Sequence, residues 1–113
     1  VQTLCLGAAG YVHLGLTAGL LATVLQLVDP DSFNLGAIAM REELMARLSY
    51  FAFITLGSLG YGDVVPASPI GESFAVLLSL SSTLYLSLLV GLLLSRFITS
   101  QDSDLVQALE DER

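Results

Sequence analysis

Two long runs without a formal charge constrain this chain more than any other feature. Val1 to Val28 contains no Asp, Glu, Lys or Arg, and neither does Ala75 to Ser95. Each exceeds the roughly 18 apolar residues that mark a candidate membrane span. A chain of 113 residues that is 54% hydrophobic, with mean hydropathy +0.76, is one domain and too apolar for an ordinary soluble protein. Its expected solvent is lipid, crossed by two helices. The first run lacks the basic flank of a signal peptide and is longer than a signal core, so it reads as a mature helix.

Charge narrows the partners. Eleven acidic side chains against four basic ones give a net charge of -7, which argues against nucleic acid. Cys5 is the single cysteine, so no intrachain disulfide is possible. One histidine, one cysteine, no phosphate-binding loop and no metal-ligand cluster leave no enzyme to read. No helix carries repeated arginines, so voltage sensing has no support in these residues.

The first helix, 1–28, would be roughly 42 Å long, enough to cross a ~30 Å hydrocarbon core. Gly15-x-x-x-Gly19 permits close helix approach and is expected to pack on the second membrane helix. His13 is expected to be neutral and bonded to a neighbouring helix. Asp29-Pro30-Asp31-Ser32 ends this helix with turn residues. A polar turret, 29–44, follows. Leu44, Leu48, Phe51 and Leu56 then define the buried face of a short helix over 45–57, with Glu42 and Glu43 near its positive end. About 12 residues cannot span a bilayer, so this helix belongs inside protein at membrane depth.

After it comes Thr55-Leu56-Gly57-Ser58-Leu59-Gly60-Tyr61-Gly62-Asp63. Glycines alternating with larger residues allow a backbone that L-residues resist, so successive carbonyls can turn toward a common axis. Ser68-Pro69 reads as an N-cap with proline at the first helical position, opening the second membrane helix, 70–98. The acidic tail, 99–113, holds Leu105, Val106 and Leu109 on one side. It is read as a frayed linker, with a helical continuation as the alternative.

Ser58-Leu59-Gly60-Tyr61-Gly62-Asp63 resembles the Thr-Val-Gly-Tyr-Gly-Asp signature of the potassium-channel pore family, and the likeness runs from about Leu44 to Phe97. It includes Tyr50-Phe51 before the loop and Val65-Pro66 after it. The resemblance implies an all-α membrane protein. Two transmembrane helices flank a re-entrant pore helix and a selectivity filter at 58–63, joined to the second helix by an outer-mouth loop at 64–69, and four chains assemble. K+ would be held by the main-chain carbonyls of Ser58, Leu59, Gly60 and Tyr61, with the Ser58 hydroxyl at the innermost site. Gly62 supports the filter, Tyr61 packs outward on Tyr50 or Phe51, Leu59 fills the space behind, and Asp63 stands at the outer mouth. Thr83, Leu86 and Val90 would line the cavity, Leu94 an inner constriction, and Gly91 a hinge. No cofactor is implied beyond permeating K+.

Three residues depart from the family pattern. Ser58 replaces threonine, Gly57 stands where threonine is frequent, and Ile54 stands where some relatives place a carboxylate that pairs with the filter aspartate. The frequent hinge glycine of the second helix falls at Ser82. The function implied is a homotetrameric K+-selective pore in the plasma or inner membrane with both termini cytoplasmic. Its partners are the lipid bilayer, three further copies and regulatory segments outside this sequence. Two alternatives stay open: a weakly selective cation channel on the same architecture, and a non-conducting membrane scaffold.

Overall fold

The computed structural model describes residues 2–36 and 42–113. Within them the element order is α1 (Gln2–Val28), β1 (Phe33–Asn34), α2 (Glu42–Leu56), β2 (Val65–Pro66) and α3 (Pro69–Asp111). Val1 of the expected first helix, and 37–41 of the expected turret, lie outside the described residues. α1 and α3 are each long and apolar enough to cross a membrane. Most of their leucines are exposed along both lengths, Leu6, Leu16, Leu77, Leu84 and Leu88 among them. A continuous apolar surface of this kind is stable against lipid and not against water.

α1 docks through its smallest side chains. Its buried residues are Gly7, Gly15, Ala18, Gly19 and Ala22. Between lipid-solvated helices there is no hydrophobic gain in contact, so association depends on close packing, which small residues permit. The Gly15–Gly19 pair was expected against the second membrane helix, but it receives α2. An added Cβ would meet the Phe53 ring at Gly15 and Ser49 at Gly19. The glycines that do face α3 are Gly7, against Leu89, and Gly10, against the Tyr85 hydroxyl. A short helix seated between the two long ones takes the middle of the small-residue face, which sequence spacing alone could not assign.

α2 buries Leu48, Ala52 and Leu56, a stripe at four-residue intervals, together with Phe51 and Ile54. At 15 residues it is about 22 Å long, short of a bilayer core. Glu42 and Glu43 occupy its first turn, where the helix dipole favours negative charge.

α3 begins at the expected signal. Ser68 is extended, with φ -127 and ψ 158, and its hydroxyl accepts from the Gly71 amide at 3.2 Å ahead of Pro69. It does not stop near Ile98. The helix runs unbroken for 43 residues to Asp111, so the frayed linker expected over 99–113 is replaced by helix through Asp111. Thr99 and Ser103 bond carbonyls one turn back within this stretch. Its side chains, including Leu105, Val106 and Leu109, are exposed.

A small clasp joins the segment after α1 to the segment before α3. β1 pairs antiparallel with β2, Phe33 opposite Pro66 and Asn34 opposite Val65. The Ala67 amide adds a bond to the Ser32 carbonyl at 2.8 Å. Phe33 carries the packing: its ring lies 5.2 Å from Phe51 and 6.1 Å, edge-on, from Phe74. One aromatic from the segment after α1 thus joins α2 and α3. Gly71 faces the same clasp, and a Cβ there would run into the Ser32 carbonyl oxygen. Gly71→Ala should therefore destabilise the protein by about 1–3 kcal/mol, read by thermal unfolding in detergent; an unchanged transition would contradict this close approach.

Candidate functional site

The loop between α2 and β2 starts from a well-formed helix end. The Leu59 amide donates to the Ile54 carbonyl at 2.9 Å and the Ser58 amide to Thr55 at 3.1 Å. This is a Schellman ending, whose C′ residue must be left-handed and is usually glycine. Here that residue is Ser58, at φ +59. A side chain in this region costs on the order of 1–2 kcal/mol. The neighbouring glycine, Gly57, stands one position early, at the cap itself.

Beyond Ser58 the handedness alternates. Positive φ recurs at Gly60 (+55) and Gly62 (+82), and not at Leu59 or Tyr61. An added Cβ at Gly60 or Gly62 would meet nothing within 4 Å. Backbone conformation, and not crowding, is therefore what makes glycine fit these two positions. Among the described residues, no hydrogen bond reaches the carbonyls of Ser58, Leu59, Gly60 or Tyr61. These four residues are exposed, so their carbonyls are open to water or to a cation.

The far side of the loop is anchored by charge. Arg47 of α2 reaches the Asp63 carboxylate at 3.6 Å, and its guanidinium lies 5.6 Å from the centre of the Tyr50 ring. The Val64 amide donates to Asp63 at 3.1 Å. With apolar Ile54 in place of a carboxylate, Asp63 was left to find another partner or face water, and it pairs with Arg47. Ile54 itself is buried. The Tyr50 phenol is raised above its ordinary pKa, first by desolvation and then by the neighbouring Asp63 side chain.

Other expected positions divide into two groups. Phe51 is buried, but against Phe33 and not under Tyr61. Tyr61 and Leu59 are exposed, at 67% and 59%, so neither packs behind the loop within a single chain. On α3, Thr83, Leu86, Val90, Gly91 and Leu94 lie on surface that this chain leaves uncovered. Nothing stands within 4 Å of a Cβ added at Gly91, so packing within the chain does not account for that glycine. His13 is exposed on α1 and, among the described residues, its ring makes no bond to a neighbouring helix. Cys5 is exposed as well.

Two contributors escaped sequence reading. Ser82 is buried, and its hydroxyl donates to the Leu56 carbonyl at 2.7 Å. The position that the resemblance matches to a hinge glycine is here tied to the end of α2. Arg47 is the other. Its one sequence signal is the three-residue step to Tyr50, which places both on one side of α2.

Residues 35–99, more than half of the chain, match the ion channel family. The chain belongs to this family of potassium-channel pore domains. It is similar to two pore potassium channel c of Oryza sativa subsp. japonica, 31% identical over 69 residues, covering 61% of this chain and 15% of that protein. A voltage-gated potassium channel of Aeropyrum pernix is 40% identical over 48 residues, covering 42% of this chain and 16% of its own length. The A-type voltage-gated potassium channel KCND3 of Rattus norvegicus is 28% identical over 95 residues, covering 82% of this chain and 14% of that one. The chain thus spans 14 to 16% of the length of these curated relatives.

Arg47 and Asp63 are 38% and 37% exposed. A double-mutant cycle with Arg47→Ala and Asp63→Asn should return about 0.2–1 kcal/mol of coupling at low salt and less as salt rises. Absence of coupling at low salt would contradict the pair. Asp63→Asn should also lower the Tyr50 titration toward that of free tyrosine, seen as the tyrosinate absorbance that Tyr50→Phe removes.

Proposed function

We propose that four copies of this chain enclose a passive, K+-selective pore, with α2 as the re-entrant pore helix and 58–63 as the filter. The observation that carries this reading is the run of four carbonyls, Ser58 to Tyr61, that lack hydrogen-bond donors on a backbone of alternating hand. A single chain offers one side of a coordination cage. Four copies around an axis would surround a dehydrated cation with carbonyl oxygens, replacing its water shell. Closed cyclic assembly of identical chains is the economical way to supply them.

The remaining pieces fit that role. The C-terminal end of α2 directs the negative pole of its dipole toward the base of the filter, where a cation would wait. Asp63 places a carboxylate at the outer mouth, and four would raise local cation concentration. Thr83, Leu86 and Val90 line the cavity, with Leu94 forming a ring that closes by dewetting. Their exposure in one chain is what a shared central path requires. Gly91 is the deeper hinge. Both termini are assigned to the cytoplasmic side of a plasma or inner membrane. The relatives' names attach potassium conduction to those proteins, and for this chain they support passive K+ transport and no enzymatic chemistry.

A weakly selective cation channel is the second reading. It is favoured by Ser58, which holds a left-handed conformation without glycine's freedom, next to Gly57, which offers no side chain to brace it. Reversal potentials in mixed K+ and Na+ across liposomes holding purified protein separate the two. Gly62→Val places a β-branched residue at φ +82, a conformation it resists. This variant should lose selective K+ flux while still inserting into membranes; retained selectivity would overturn the filter assignment.

A further inference from the structure

The C-terminal end of α2 poses a hydrogen-bonding problem that its own neighbourhood does not solve. A helix leaves its last four carbonyls without intrahelical donors. Three are served by the backbone just ahead: Phe53 by the Gly57 amide, Thr55 by Ser58, and Ile54 by both Leu59 and Gly60. The fourth is Leu56. Its donor is the Ser82 hydroxyl of α3, 26 residues further along, at 2.7 Å.

This direction is unusual for a helical hydroxyl in this chain. Thr17, Thr23, Thr55, Ser81 and Thr83 each bond the carbonyl one turn back in their own helix. Ser82 has the same option and instead reaches another helix. It is 3% exposed, and the Tyr11 hydroxyl of α1 lies 3.5 Å from its oxygen. A serine hydroxyl has one proton to give. With that proton committed to Leu56, Tyr11 is the donor in the longer contact, and one oxygen joins all three helices.

The Leu56 carbonyl belongs to the peptide that enters Gly57, immediately before Ser58. Gly57 has no side chain to hold that peptide plane, so its orientation depends on what bonds the carbonyl. We propose that Ser82 is a positioning residue for the base of the filter: its hydroxyl fixes the Leu56–Gly57 peptide and thereby sets where the Ser58 carbonyl and hydroxyl stand. This rests on the pore reading above. Movement of α3 near Ser82 is then felt at the innermost ion site.

The test compares purified wild type with Ser82→Ala, Ser82→Cys and Ser82→Thr. One readout is the K+ concentration that half-protects the protein from thermal unfolding; the other is the K+/Na+ permeability ratio in liposomes. Ser82→Ala and Ser82→Cys should raise the K+ midpoint about two- to tenfold, the worth of one hydrogen bond, and lower the permeability ratio. Ser82→Thr, which keeps the hydroxyl, should stay within about twofold of wild type. If Ser82→Ala does not fold, the near-isosteric Ser82→Cys, a weak donor, carries the comparison. Melting temperatures that drop equally in K+ and Na+ with an unmoved K+ midpoint would reduce Ser82 to a packing residue and overturn the proposal. So would a Ser82→Thr shift as large as that of alanine. Wild-type protein with neither K+-dependent protection nor selective flux would remove the pore reading, and the role of Ser82 with it.

Discussion

Four successive main-chain carbonyls, Ser58 to Tyr61, take no hydrogen-bond donor from the described residues and stand on exposed backbone, where a cation can meet them. Holding Ser58 to Tyr61 in that state requires restraint on every side. The Schellman ending of α2 fixes one end, at the expense of a left-handed serine. The β1–β2 clasp and the Arg47–Asp63 pair fix the other. Ser82 reaches the entry peptide from α3. In the proposed pore a K+ ion takes the place of the missing donors, so the unfavourable backbone becomes the binding site.

The long helices supply the frame. Lipid gives helices no hydrophobic reason to associate, so the α1 face of Gly7, Gly15, Ala18, Gly19 and Ala22 must work by close contact. Polar contacts then fix the alignment of α1 and α3 along their length. Arg96 donates to the Thr3 hydroxyl at 2.7 Å, Tyr85 to the Gly7 carbonyl at 2.7 Å, and Tyr11 approaches Ser82 nearer the 58–63 loop. Each bond joins residues more than 70 positions apart. A displacement of α3 against α1 must break or slide these contacts together.

The parts of this structure that follow local rules could be read from the sequence. Uncharged length announced α1 and α3, Ser68-Pro69 announced where α3 begins, and the glycines of the loop announced a backbone outside helix and sheet. What escaped depended on pairs distant in sequence. Nothing local says that Arg47 meets Asp63, that Ser82 turns away from its own helix, or that Phe33 bridges Phe51 and Phe74. Gly15 and Gly19 showed that a helix would approach closely there, but spacing does not say which one. The tail, read as a frayed linker with a helical continuation as the alternative, is helix through Asp111. Gln101 to Asp111 contains neither glycine nor proline, so nothing in it interrupts a helix already under way.

The most direct measurement is a density map of the assembled protein in membranes or detergent, recorded once in K+ and once in Na+ alone. Four chains about one axis, with peaks between the carbonyls of Ser58 to Tyr61 that appear in K+ and weaken in Na+, are the predicted result. A loop lying away from any shared axis, or carbonyls occupied by neighbouring amides in both salts, would contradict it.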